Sequence, residues 1–148
     1  MQVDKIQLRY YKALPLAGLC SPLIDRLNRG ESLPPVNREL VDSLKDSIQV
    51  NGMRNPLSIE WFDPYHPRTN PNPSWSIRIG NNRAVALIEL GQTTAPCLVL
   101  VPEGVEGPAG TYDEISKDAA LALFTADHPW WDSWDMQHMF PNEVPKRG

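Results

Sequence analysis

Four consecutive residues, Gly80, Asn81, Asn82 and Arg83, combine the side chains and the backbone freedom of an anion-binding turn. If a helix begins here, several backbone N–H groups lack partners, and the aligned peptide dipoles add partial positive charge. Arg83 adds a planar fork of donors suited to phosphate oxygens, and the two asparagine amides can donate as well. The turn therefore predicts phosphate binding. The structural alternative is that Asn81 caps the helix while Arg83 pairs with a surface carboxylate.

The flanking sequence predicts that this turn joins a strand to a helix. Residues 75–79 alternate apolar and polar side chains, which is the period of a strand with one buried face. Gly80 permits a sharp turn, Asn81 is a suitable helix N-cap, and residues 83–90 are rich in good helix formers. Gly91 then supplies a C-terminal stop for the helix.

Length and composition limit the class of protein. The 148 residues fit one domain with a sizeable core, and the net charge of -4 does not provide the overall positive field of a nonspecific nucleic-acid binder. Cys20 and Cys97 are too few for a disulfide framework, and no charged-then-apolar leader opens the chain, which indicates a reduced, cytoplasmic protein. No apolar run approaches the roughly 18 residues that cross a bilayer, so no membrane partner is expected.

The remaining pattern predicts an α/β (α+β) domain over residues 1–124. Strands are predicted at 5–11, 56–61 and 95–101. Helices are predicted at 21–28, at 37–51 and at 112–124. Their predicted N-caps are Ser21, Asn37 and Thr111, and Glu114 is the capping-box partner of Thr111. Residues 62–74 and 103–110 contain clusters of proline or glycine and are predicted to be loops.

Residues 125–148 form a second segment, an irregular C-terminal tail in which aromatic and acidic side chains are concentrated among prolines. Its tryptophans, Trp130, Trp131 and Trp134, either pack on the domain surface or stack against a partner. His128 and His138 stand near aspartates, but their spacing fits no zinc pattern, so no metal site is predicted.

An ordered set of residues between about 30 and 101 resembles the ParB/sulfiredoxin superfamily. In that group a pattern like L-x-x-SI-x-x-x-G-x-x-x-P-(strand) precedes a loop, G-x-x-R opens a helix that ends in LG, and P-(strand) follows. The matching residues are Leu44, Ser47, Ile48, Gly52, Pro56, Gly80, Arg83, Ala86, Leu90, Gly91 and Pro96. The resemblance implies a compact domain with a small mixed sheet and flanking helices, whose G-x-x-R turn holds nucleotide phosphates.

The resemblance also implies roles for particular residues. Residues 80–83 would form the phosphate cradle for ATP or CTP with Mg²⁺. Residues 52–56 would border the pocket, with Arg54 as a second cation beside Asn55. Glu31 stands roughly where the free serine kinases of the superfamily carry a catalytic carboxylate.

The turn departs from the catalytic members of the superfamily. Sulfiredoxins need a cysteine directly after the glycine, and partition proteins usually carry a glutamate there, whereas this chain has Asn81. Asparagine cannot act as a general base, and it is a weaker magnesium ligand than a carboxylate. The chain after Val101 also leaves little room for a helix-turn-helix region. Phosphate binding is therefore predicted more directly than catalysis, and centromere binding is not expected.

Three functions remain open from the sequence. The first is a nucleotide-binding phosphotransferase or NTPase in which Glu31 acts as general base. The second is a ParB-like nuclease or DNA-binding regulator, with Arg54, Arg68, Arg78 and Arg83 as a basic rim. The third is a non-catalytic interaction module, for instance of a virus or mobile element, whose tryptophan-rich tail binds a protein partner or a second copy.

Overall fold

The computed structural model describes residues 6–53, 55–61 and 75–124 and places them in one five-stranded sheet with helices on both faces. In chain order the elements are β1 (Ile6–Pro15), α1 (Pro22–Asn28), α2 (Pro35–Asn51), β2 (Leu57–Trp61), β3 (Trp75–Ile79), α3 (Asn81–Glu89), β4 (Thr94–Pro102), β5 (Asp113–Ile115) and α4 (Lys117–Ala122). The predicted small mixed sheet with flanking helices is confirmed. Arg54, the loop predicted at 62–74 and the tail at 125–148 lie outside the described residues.

The sheet is mixed because one of its four strand pairs is parallel. The strand order is β3-β2-β4-β1-β5, in which β2 and β4 are parallel and all other neighbours are antiparallel. The central strand β4 is buried from residue 97 to residue 101. This explains its continuous apolar sequence, since a strand covered on both sides has no solvent-facing positions.

Alternation along β4 divides the core between the two faces of the sheet. Cys97 and Val99 lie on the first face, where they share a hydrophobic cluster with residues of α1, α2 and α3. Leu98 and Leu100 lie on the second face, where they pack with residues of α4 and with Phe124. Each face therefore has its own helical cover. Among the described residues, no helix combines the length and the apolar composition that a membrane span requires.

The first two helices begin at prolines. Ser21 caps α1 as predicted, because its Oγ accepts the backbone N–H of Ile24 at 3.4 Å. The long helix α2 begins at Pro35, two residues earlier than predicted, and its N-cap Pro34 makes no side-chain cap hydrogen bond. Proline fits the first turn of a helix because no intrahelical partner is needed there. Asn37 consequently lies inside the first turn of α2 rather than at its cap.

The ends of α3 show one correction and one confirmation. The N-cap is Gly80, with a left-handed φ of 104°, and the prediction that Asn81 caps this helix is wrong because Asn81 is its first helical residue. At the other end Gly91 has a φ of 85°, and the N–H groups of Gly91 and Gln92 donate to carbonyls of the last turn at 3.0 and 2.9 Å. This is the glycine stop that the sequence predicts.

The helix predicted at 112–124 is wrong in its first half. The strand β5 occupies that part and pairs with β1, placing Glu114 opposite Arg9 in the register. Helix α4 begins only after Ser116, whose Oγ accepts a backbone N–H at 3.1 Å. Thr111 and Glu114 therefore form no capping box, since Glu114 belongs to a strand whose hydrogen bonds go to a neighbouring strand instead of a helical turn.

Candidate functional site

The N-terminal turns of three helices meet at the turn that the sequence singles out. Ser21, the N-cap of α1, donates from Oγ to Oδ1 of Asn81 at 2.6 Å. Asn37, in the first turn of α2, donates from Nδ2 to Oδ1 of Asn82 at 3.0 Å. Since Asn81 and Asn82 both lie in the first turn of α3, two side-chain hydrogen bonds connect all three helix starts. We call these four residues the N-terminal cluster.

The chain before α1 is fixed to the edge of the sheet, and this positions the cluster. The backbone N–H of Cys20 donates to the carbonyl of Trp75 at 2.7 Å, and the N–H of Ile77 donates to the carbonyl of Cys20 at 2.9 Å. Ser21 follows directly and so lies beside the start of α3. Asn81 is also fixed to β3, because its Nδ2 donates to the carbonyl of Ile77 at 3.3 Å.

The electrostatics of the cluster favour an anion. Neither α2 nor α3 has a side-chain cap, and neither has an acidic residue in its first turn. Of the three helices that meet here, α1 alone has both features: Ser21 caps its first turn and Asp25 is the acidic residue in that turn. The partial positive charges at the starts of α2 and α3 therefore lie together with no carboxylate of their own first turns to offset them. Such a place suits phosphate or another oxyanion.

The Arg83 guanidinium packs beside Gly80 and binds the loop before β2. Its Nη1 donates to the backbone carbonyls of Asn55 and Pro56 at 2.5 and 3.2 Å. Burial lowers the pKa of Arg83 to about 10, so the side chain stays charged at neutral pH. Its Nη2 is buried and has no hydrogen-bond acceptor among the described residues. The described partners of Arg83 are thus backbone carbonyls, whereas the alternative interpretation of the sequence expected a surface carboxylate. A direct contact between Arg83 and phosphate stays a prediction.

Gly80 makes this inward position of Arg83 possible. A Cβ at Gly80 would lie 2.5 Å from Cδ2 of Leu57 and 3.0 Å from Nη2 of Arg83. The φ of 104° is also one that side chains other than glycine rarely adopt. Gly80 therefore serves both the turn and the close approach of Leu57, the first residue of β2, and of the Arg83 side chain.

Ion pairs hold α2 against α3. Glu89, at the end of α3, accepts hydrogen bonds from Arg38 at 2.9 Å and from Lys45 at 3.2 Å. The hydrogen bond from Arg38 is the main reason that the pKa of Glu89 lies below its ordinary value. Because Asn37 and Arg38 are neighbours on α2, this clamp also supports the contact between Asn37 and Asn82.

The structure does not bring the predicted catalytic residue into the cluster. Glu31 is exposed, and its carboxylate accepts a hydrogen bond from Arg29, which lowers the pKa of Glu31. A lower pKa makes a carboxylate a weaker base. Of the residues expected to border the pocket, Asn55 accepts from Arg83 through its carbonyl, and Arg54 lies outside the described residues. The assignment of Glu31 as general base stays a prediction.

The predicted basic rim has two described members, and both have structural partners. Arg78 forms an ion pair with Glu60 at 3.2 Å, and Arg83 is engaged with backbone carbonyls. Arg54 and Arg68 lie outside the described residues. Within the three described stretches no group of three or more histidine, cysteine, aspartate or glutamate side chains is placed to hold a metal ion.

Two members of the cluster were not predicted as site residues. From the sequence, Ser21 and Asn37 are helix caps, and Ser21 is one. Their second partners, Asn81 and Asn82, lie 60 and 45 residues away along the chain. The only signal in the sequence is that each is a small polar residue near a helix start, and such residues are common.

Comparisons with known proteins add little to this picture. Neither protein-family models nor curated protein sequences give a match. Among solved structures, the chain is similar to the crystal structure of sulfiredoxin from Arabidopsis thaliana, with 24% sequence identity and a TM-score of 0.41. The similarity covers 64% of this chain and 85% of the sulfiredoxin chain.

Proposed function

We propose that this protein binds a phosphate-bearing ligand, in the first place a nucleoside triphosphate such as ATP or CTP with Mg²⁺, where α2 and α3 begin. One observation carries the proposal: two uncapped helix starts without acidic residues are joined by the hydrogen bond between Asn37 and Asn82. Two converging positive dipole ends form a stronger anion site than one. The resemblance of the sequence to nucleotide-binding members of the ParB/sulfiredoxin superfamily favours a nucleotide as the ligand.

The binding groups would be backbone N–H groups and neutral amides. The first turn of α3 supplies the N–H groups of Asn81, Asn82 and Arg83, and Asn82 would turn its amide toward the ligand. Arg83 would act as a positioning residue, because it fixes the loop before β2 beneath the turn. Its buried charge would add to the positive potential without a direct contact.

The proposal concerns binding and not turnover. The cluster consists of a serine and three asparagines, none of which is a general base at neutral pH. Phosphoryl transfer depends chiefly on positioning and charge neutralisation, and the site offers both, but a carboxylate would have to come from elsewhere. Glu31 is the candidate from the sequence, and an assay of nucleotide hydrolysis with Glu31→Gln as control tests it separately.

Calorimetric titration tests the proposed function. ATP, CTP and GTP are each titrated with Mg²⁺ into the full chain, and inorganic tripolyphosphate is titrated in parallel. Saturable binding of at least one nucleotide is the expected result. Equal binding of tripolyphosphate and all three nucleotides would limit the site to phosphate recognition. Absence of binding by all four compounds at millimolar concentration would remove the proposal.

A further inference from the structure

A cavity of about 360 Å³ is lined by the start of β1, the end of β4 and the turn that follows β4. Its apolar wall consists of Val101, Pro102 and Val105, and its polar lining includes Gln7 and Arg9. Pockets that bind small molecules have volumes of roughly 300–1,000 Å³ and combine apolar walls with a few polar groups. None of these five residues belongs to the N-terminal cluster, so the cavity is separate from the proposed phosphate site.

The guanidinium of Arg9 is held in a fixed position. Its Nε donates to Oε1 of Gln7 at 2.6 Å, and its Nη1 donates to the hydroxyl of Tyr11 at 3.1 Å. The hydroxyl of Tyr11 in turn donates to the carbonyl of Pro108 at 2.6 Å. On the ring of Tyr112, Cζ of Arg9 lies 4.0 Å from the centroid. Because these contacts already order the side chain, a ligand would lose little affinity to the cost of immobilising it.

The charge of Arg9 is not paired with a carboxylate. Its partners are an amide, a hydroxyl and an aromatic ring, and none of the ion pairs within the described stretches involves Arg9. Its third nitrogen, Nη2, has no acceptor among the described residues and is not fully buried. Arginine has five N–H donors in a planar fork that suits carboxylates. Arg9 therefore combines a fixed positive charge with donors that no other described side chain uses.

We propose that this cavity binds a small organic monocarboxylate with an apolar body. The carboxylate would accept from Nη2 of Arg9, and the apolar body would contact the wall of the cavity. The amide nitrogen of Gln7 can donate as well, because Arg9 uses only the amide oxygen. Glu103 also lines the cavity, and its negative charge disfavours ligands with several charges, such as phosphate esters. This inference does not depend on nucleotide binding.

Gly107 offers a way to move the guanidinium without removing its charge. A Cβ at this position would lie 2.7 Å from Cζ of Arg9, closer than two such atoms can approach. The atoms in the way belong to the far end of a flexible side chain, so we expect Gly107→Ala to displace the guanidinium and to leave the fold intact. Gly18→Ala is the control, since nothing lies within 4 Å of the Cβ position of Gly18.

Titration of the full chain with hexanoate, followed by the Nε–H resonance of Arg9 in NMR spectra, tests the proposal. We expect a saturable shift with a Kd on the order of 1 mM. Hexanamide has the same apolar body without the charge, and inorganic phosphate has charge without the body. Both should bind at least about tenfold more weakly than hexanoate. Gly107→Ala should weaken the binding of hexanoate at least about tenfold, and Gly18→Ala should leave it unchanged.

Four outcomes would overturn the proposal. Absence of a saturable shift with hexanoate means that the cavity is not a carboxylate site. Equal affinity for hexanamide shows that the charge of Arg9 is not read, and tighter binding of phosphate shows that the apolar wall is not. Unchanged affinity in Gly107→Ala means that Arg9 only fastens the chain around Pro108. The comparison of the three compounds uses the unmodified chain, so it decides the matter even if Gly107→Ala loses cooperative unfolding.

Discussion

Nδ2 of Asn37 lies 3.0 Å from Oδ1 of Asn82, and this hydrogen bond joins the first turns of α2 and α3. Helices normally neutralise their N termini with a capping side chain or an acidic residue, and these two helices have neither. The contact between two neutral amides leaves the partial positive charge of both helices in place. The starts of α2 and α3 therefore lie side by side with no carboxylate of their own first turns to offset their partial positive charge, while Arg83 binds backbone carbonyls.

Replacement of Arg83 by methionine is expected to lower the free energy of unfolding by about 2–4 kcal/mol. The substitution removes the donor for the carbonyls of Asn55 and Pro56 and leaves them without that partner in a partly buried loop. Urea titration measures the change. Arg29→Met is the control, since the Arg29 side chain is 59% exposed and forms its ion pair, among the described residues, with the exposed Glu31, and it should change stability by less than about 0.5 kcal/mol. Equal effects of both substitutions would refute the structural role of Arg83.

Gly80→Ala is expected to destabilise the protein by about 2–4 kcal/mol, because it combines an unfavourable φ with a clash against Leu57. Gly18→Ala provides a matched control. Gly18 has a φ of 88°, but nothing lies within 4 Å of its Cβ position, so only the conformational cost of about 1 kcal/mol applies. Thermal unfolding of both variants separates the two contributions. If both variants lost the same stability, the contact of Gly80 with Leu57 would contribute nothing to the effect of Gly80→Ala.

Glu89→Gln is expected to lower stability at pH 7 by about 1 kcal/mol. The hydrogen bond from Arg38 holds the pKa of Glu89 below its ordinary value of 4.5. A carboxyl with a lowered pKa stabilises the fold above its ordinary pKa, and this contribution is lost as the pH falls below it. The free energy of unfolding of Glu89→Gln should therefore differ most from that of the unmodified chain at pH 7, and this difference should shrink progressively below about pH 4.5.

Urea titrations at several pH values check the prediction for Glu89. The matched control is Glu39→Gln in α2, since Glu39 is exposed and has no ion pair among the described residues. It should change stability by less than about 0.3 kcal/mol at every pH. A loss for Glu89→Gln that is as large at pH 3 as at pH 7 would contradict the assignment of the clamp.

The elements nearest the site could be predicted because their signals are local. The alternation in residues 75–79 and the glycines at 80 and 91 mark a strand, a turn and a helix within one short stretch. The buried run of β4 is likewise a local pattern. Each of these depends on neighbours along the chain, so no knowledge of the tertiary structure is needed.

The errors occur where distant parts of the chain decide the outcome. The short strand β5 exists because β1 offers it a pairing edge, which the local sequence Asp-Glu-Ile does not reveal. Arg83 turns inward because the carbonyls of residues 55 and 56 come within reach over Gly80. The convergence of Ser21 and Asn37 on α3 depends on how three helices pack. Tertiary contacts override local propensity in all three cases.

Asn82→Asp tests the central claim most directly. A carboxylate at this position adds an acidic residue to the first turn of α3, which favours the helix dipole but repels an anion at the same place. The unmodified chain should bind at least one nucleoside triphosphate in a calorimetric titration, and Asn82→Asp should weaken that binding by at least about tenfold, roughly 1.4 kcal/mol, without loss of stability. Asn51→Asp, at the far end of α2, makes the same chemical change and should leave binding unaltered. Undiminished binding by Asn82→Asp, or equal losses in both variants, would contradict a phosphate site at the meeting point of these helices.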